Sequence, residues 1–226
     1  MKRFLRARGR SLGVVVLVMF LNTWLQGGIS YSVGLGPLRK FNPSDFPVLV
    51  GGFYVLRIAL LLLLVTLWLL NRKSALFRTI IAVNVYWTLA LLVDVSALIR
   101  ILGRLREAAQ PLLIDAALMS LSNMFVFSIW YWIIDPPGVE DKPREDAPWA
   151  FLFPQRGSSL PHYSSWSPEY ADYLFIGFTT NFAFSPTDAL PLTRTAKMLM
   201  LLQGSISVVI VTGIAAGAIN VLVGGR

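Results

Sequence analysis

The stretch that decides the fold is SPEYADYLFIGFTTNFAFSPTDALPLTRTAKMLMLLQGSISVVIVTGIAAGAINVLV, Ser167 to Val223. It opens with a good helix start: Ser as cap, Pro at the first helical position and an acid in the first turn. A helix from Pro168 to about Thr180 rises about 20 Å, short of a bilayer core of about 30 Å. The pattern then breaks at NFAFSPTDALPLT, and Met198 to Val223 is long and apolar enough to cross. A short helix, a polar turn and a full helix describe a re-entrant hairpin. A short helix lying along the membrane face is the alternative.

The rest of the chain fits a membrane setting. Of 226 residues, 55% are hydrophobic and 14% charged, with a mean hydropathy of +0.63. Soluble domains carry roughly 25% charged residues, so too little polar surface is available to cover a water-facing globule. Upstream runs extend from Leu12 to about Gln26, Val48 to Leu70, Thr79 to Ile99 and Pro111 to Ile134. The first follows MKRFLRARGR, the order of a signal peptide, but QGGISYSVGLG offers no small-x-small cleavage site, so a retained helix is expected. The fourth ends in Trp130, Tyr131 and Trp132, rings that favour the headgroup layer, before Asp135-Pro136-Pro137 breaks the helix. The expected fold class is therefore an all-α membrane protein: four transmembrane helices, the hairpin and a final transmembrane helix.

Between Pro136 and Tyr170 the composition turns Pro-rich and acidic, with Trp149, Phe151, Phe153, Tyr163 and Trp166 interleaved. Loops of this length are usually functional or disordered, and the aromatics predict that part of this one packs onto something. The positive-inside count favours a cytoplasmic amino terminus, which would make the hairpin enter from the cytoplasm. The net charge of +8 reflects basic ends flanking apolar runs, and no nucleic-acid partner is expected.

Non-helical chain at membrane depth survives only where protein or water surrounds it. Thr179, Thr180, Asn181, Phe184, Ser185, Thr187 and Asp188 are accordingly the candidate lining of a polar path, since hydroxyl, amide and carboxylate oxygens replace an ion's hydration shell. Ordinary turn chemistry at the interface accounts for Ser-Pro-Thr-Asp equally well.

The segment from Asp172 to Ser205 resembles the pore helix, filter and inner helix of the potassium-channel pore module. Asp188 takes the place of the Asp that ends T-V-G-Y-G-D, and Pro191 with Thr193 matches the nearby P-x-[ST]. Ala183 to Thr187 fall where the filter would be. Both filter glycines are missing and Pro186 has no N–H to donate, so potassium selectivity is not carried across. The resemblance implies a homo-oligomer, a tetramer. The WYW with its acid, Phe151 to Gln155 (FLFPQ), and Asp172 to Asp188 are similar to a family of uncharacterised bacterial integral membrane proteins. That likeness implies a bacterial inner membrane and no particular activity.

Three ionisable residues lie inside predicted spans: Arg57, Asp94 and Asp115. Such charges usually face the bundle interior and pair, so a cluster locking helices together is expected, with a proton or ion relay as the sharper reading. Asn84 and Asn123 read as interhelical hydrogen bonds, and Gly213 with Gly217 as a G-x-x-x-G packing face or, more sharply, a gating hinge. The single His162, the absence of cysteine and the lack of Walker, dinucleotide or H-E-x-x-H context predict no cofactor, no metal and no enzyme. The chain thus divides into a four-helix region (1–135), a loop open to a protein partner (136–166) and an ion-channel-like module (167–226). The expected function is a channel-like membrane protein, or alternatively a non-conducting accessory subunit docking through that loop; a transporter ranks third.

Overall fold

A computed structural model describes residues 10–29, 46–70, 72–102, 109–135, 149–158, 160–163, 166–182 and 189–224. Six α-helices occur among them: α1 (Arg10–Ile29), α2 (Phe46–Leu69), α3 (Lys73–Leu102), α4 (Ala109–Ile134), α5 (Tyr170–Phe182) and α6 (Arg194–Gly224). Four windows are long and apolar enough to cross a membrane: Leu12–Ile29, Ala75–Arg100, Leu113–Ile134 and Arg194–Ala215. A shorter apolar piece of α2 runs from Ile58 to Leu69. The order of four long helices, one short helix and a last long one is the order the hydropathy pattern predicts.

Two compact units make up the chain. One contains residues 16–122 and 208–226. In it, α2 and α3 form an antiparallel hairpin closed at Leu70 to Arg72, where the Leu70 and Arg72 N–H groups donate to the carbonyls of Thr66 and Leu67. Helix α2 ends at Leu69 and α3 begins at Lys73, the boundary the basic pair Arg72 and Lys73 predicts. Leu64, Leu76, Ile80, Trp87 and Leu91 are buried. A buried polar trio joins α1 to α4: Gln26 Nε2 donates to Ser122 Oγ (2.8 Å), which donates to Asn22 Oδ1 (2.8 Å). These residues extend α1 to membrane-spanning length without exposing amides to hydrocarbon, because the amides face another helix. On the other side of α1, Phe20, Trp24, Gly28, Ile58 and Leu118 border an apolar groove of about 360 Å³.

The second unit contains residues 1–15 and 123–207. Its centre is the carboxyl-terminal half of α4, against which α5 and the first half of α6 pack through the hydrogen bonds described below. A two-stranded antiparallel ribbon pairs β1 (Phe151–Leu152) with β2 (Leu190–Pro191), in register Phe151 with Pro191 and Leu152 with Leu190. The Leu192 N–H extends it by donating to the Ala150 carbonyl (2.9 Å). Pro191 has no N–H, which suits it to this short edge pairing.

The short helix α5 has thirteen residues. Its first residue, Tyr170, lies two residues after the predicted first helical position, Pro168. The Glu169 N–H donates to Asp172 Oδ2 (2.7 Å), and the Asp172 N–H donates to the Glu169 carbonyl (3.1 Å). Glu169 is thus the boundary residue, and a carboxylate three positions on satisfies its free donor, as in half of a capping box.

Candidate functional site

The end of α4 carries a carboxylate on which much of the second unit converges. Asp135 Oδ1 accepts from the backbone N–H groups of Ala150 (2.8 Å) and Phe151 (3.1 Å). Arg156 grips both oxygens, Nη1 to Oδ1 at 3.2 Å and Nη2 to Oδ2 at 2.7 Å. The Tyr173 hydroxyl donates to Oδ2 (2.6 Å). Burial, followed by the adjoining Asp135 charge, pushes the Tyr173 phenol above its usual range, so it keeps the proton it donates. Arg156 also donates to the Phe151 carbonyl (2.7 Å) and lies over the rings of Trp149 (4.9 Å) and Phe153 (5.3 Å). With the Asp135 side chain wholly buried and that of Arg156 6% exposed, this is a buried ion pair whose remaining lone pairs are all engaged. That is the arrangement in which such a pair offsets its desolvation cost.

Aromatic packing continues the same knot. Tyr131 meets Phe151 edge-on (5.2 Å between centroids), and Phe153 meets Tyr173 edge-on (5.7 Å) and Trp166 at a tilt (5.5 Å). Tyr131 and Trp132 are buried in protein, where the sequence pattern had suggested headgroups; Phe151 of the aromatic loop packs against Tyr131. The predicted packing of the aromatic loop is onto its own unit. Trp149 and Leu160 stay exposed.

Further along α4, neutral polar groups take over. Ser128 Oγ and the Tyr170 hydroxyl are 2.7 Å apart. Gly177 sits so close to α4 that a Cβ there would lie 2.9 Å from the Met124 carbonyl and 3.1 Å from Ser128 Cβ. Gln203 of α6 donates from Nε2 to the Gly177 carbonyl (2.7 Å), and its Oε1 accepts the Tyr131 hydroxyl. Asn123 Nδ2 donates to Asn181 Oδ1 (2.8 Å) and Ser207 Oγ (2.9 Å), and Ser207 also donates to Asn181 Oδ1 (2.8 Å). Three helices are therefore tied by one amide–hydroxyl cluster, with Asn123, Asn181, Gln203 and Ser207 all at most 1% exposed.

The residues singled out from the sequence fall as follows. Thr179, Thr180 and Asn181 are buried at the end of α5; Thr179 donates to the carbonyls of Phe175 and Ile176, and Asn181 belongs to the cluster just described. Phe184, Ser185, Thr187 and Asp188 lie outside the described residues. Asp94 and Asp115 are buried, in α3 and α4, and both are engaged in interactions. Arg57 lies in α2, with its side chain outside the description. Gly213 is buried, and a Cβ on it would meet the Leu98 side chain at 2.9 Å, as close packing requires. Gly217 belongs to α6 beyond the described side chains. Asn84 is buried, and Asn123 makes the interhelical bonds its position suggests. Sequence reading missed Asp135 with Arg156, Tyr173 and Gln203. The one trace of the first pair in the sequence is an acid at a helix end and, twenty-one residues on, an arginine directly after FLFPQ, a spacing that does not by itself pair them. Among the described residues no three His, Cys, Asp or Glu side chains come together to hold a metal.

Long apolar helices tied internally by buried polar side chains define the class: a helical membrane protein. No family model, curated protein or solved structure matches the chain.

Proposed function

We propose that residues 167–193 form a re-entrant hairpin and that copies of the chain assemble around such hairpins into a channel-like pore. One observation carries the reading: the path of α5 along α4. One turn in, Tyr173 is bonded to Asp135, at the end of α4; near its finish Asn181 is bonded to Asn123. Asn123 lies ten residues after Leu113 and eleven before Ile134, the midpoint of that span. The twelve residues from Asn123 to Asp135 correspond to about 18 Å of depth. By β2 the chain is back beside β1, whose first N–H is bonded to Asp135. The seven steps from Phe182 to Ala189 reach about 23 Å when extended, enough for the return. From Arg194 to Ser207, again bonded at Asn123, α6 descends about 20 Å. The descents along α4 and α6 agree, and the connector is long enough to make the return.

On this reading Thr179, Thr180 and Asn181 anchor the hairpin within its own chain. The path is lined by the connector, where Phe184, Ser185, Thr187 and Asp188 stand and where the hydroxyl and carboxylate oxygens are. Chain at mid-depth needs water or protein around it, which is the reason for invoking further copies. A tetramer follows from the resemblance to the potassium-channel module alone, and a bacterial inner membrane from the resemblance to the bacterial family. The second reading, a non-conducting accessory subunit, draws on Trp149 and Leu160, which stay exposed in the aromatic loop. Ion flux from purified protein in liposomes, altered by Asp188→Asn, is the expected result. Silent liposomes with a stably copurifying partner would favour the accessory subunit.

A further inference from the structure

The last helix begins in an unusual way. Its amino end is capped by Thr193, whose Oγ1 accepts from the Ala196 N–H (3.2 Å), yet the first turn holds no acid and two cations, Arg194 and Lys197. Positive charge there opposes the helix dipole, so these side chains do not serve the helix. Both are exposed, and neither has a hydrogen-bond or ion-pair partner among the described residues. Directly below them on the same face, one and two turns on, stand Met198 (63% exposed) and Leu201 (62%), with Leu202 beside them. Above them, Leu190 and Leu192 are exposed on the chain entering the helix. Only 33% of the Arg194–Ala215 span is buried, the smallest share of the four spans.

We propose that this face binds an anionic phospholipid, its phosphate held between Arg194 and Lys197 and an acyl chain lying along Met198 and Leu201. Charge complementarity selects the occupant. Basic side chains at the end of a span attract anionic headgroups, and the surface beneath them is apolar and faces outward. A second copy using the same face against itself would set Arg194 and Lys197 against their own counterparts, which repel. The inference is independent of whether the protein conducts.

Native mass spectrometry of the detergent-purified protein, titrated with phosphatidylglycerol or phosphatidylcholine of matched chains, tests it. The expected result is preferential retention of phosphatidylglycerol. Arg194→Gln with Lys197→Gln should lower that preference roughly 25-fold, about fivefold for each cation removed. Arg78→Gln, an exposed cation on α3, should leave it unchanged. Equal retention of the two lipids by the parent protein overturns the proposal, and so does a preference that survives the double substitution. Efficient disulfide cross-linking of Met198→Cys between chains also overturns it, because a second copy then covers the face.

Discussion

Two polar centres lie along α4, and they are built from different chemistry. At the helix end, Asp135 and Arg156 are charged, and the carboxylate takes five hydrogen bonds. Twelve residues earlier, around Asn123, every group is a neutral amide or hydroxyl, and Asn123 Oδ1 finds no partner among the described residues. The change from charged to neutral follows depth along the span. Near a span end a fully bonded ion pair is tolerable, whereas toward the middle each charge is costly and neutral groups suffice to join helices. The contrast separates their tasks: the charged knot folds the loop back onto the helix end, and the neutral cluster holds the short helix at its lower end.

The largest effect should therefore come from breaking the charged centre. Arg156→Ala or Asp135→Ala should cost about 3–5 kcal/mol of unfolding free energy, since either leaves a buried charge uncompensated. Denaturation followed in detergent by Trp fluorescence checks this. Asp135→Leu with Arg156→Met should recover only part of the loss, because the Ala150 and Phe151 N–H groups lose their acceptor. Full recovery would mean that the carboxylate's backbone bonds contribute little.

Next comes the contact between helices. Gly177→Ala would drive a methyl group into the α4 backbone at Met124, and a cost of about 1–3 kcal/mol is expected from overpacking. Gly213→Ala makes a useful contrast, because the nearest atom there is the tip of the flexible Leu98 side chain. Its effect should be near zero, with the gain of up to about 1 kcal/mol in helix propensity offsetting the crowding. If the two substitutions cost the same, backbone proximity is not what limits α5.

Smaller still is the neutral cluster. Asn181→Ala or Asn123→Ala should cost about 0.6–1.7 kcal/mol, the range for interhelical hydrogen bonds in membranes. A double-mutant cycle between them should show positive coupling; additive effects would place the two amides in separate interactions.

These differences also explain how far the sequence could be read. Long apolar runs reveal spans because hydrocarbon imposes their length, and α5 announced its thirteen residues through a Pro-Glu start and a polar break. Asn123 was readable as an interhelical bond because a buried amide on an apolar helix has few other uses. Asp135 was not readable as a hub: its partners lie 15 to 38 residues away and come together only after the loop has folded. For the same reason Tyr131 reads as a headgroup anchor, although Phe151 of the returning loop packs against it. Thr179 to Asn181 read as lining because spacing alone does not say which face of a short helix meets its own chain.

The depth of the α5 tip tests the central claim most directly. Spin labels at Phe182→Cys, which is exposed, can be compared by oxygen and nickel-chelate collision rates with labels at Ser205→Cys, deep on α6, and Leu190→Cys, beside β1. The account predicts an oxygen-rich, chelate-poor profile at position 182 matching position 205. A profile matching position 190, at headgroup level, would contradict it.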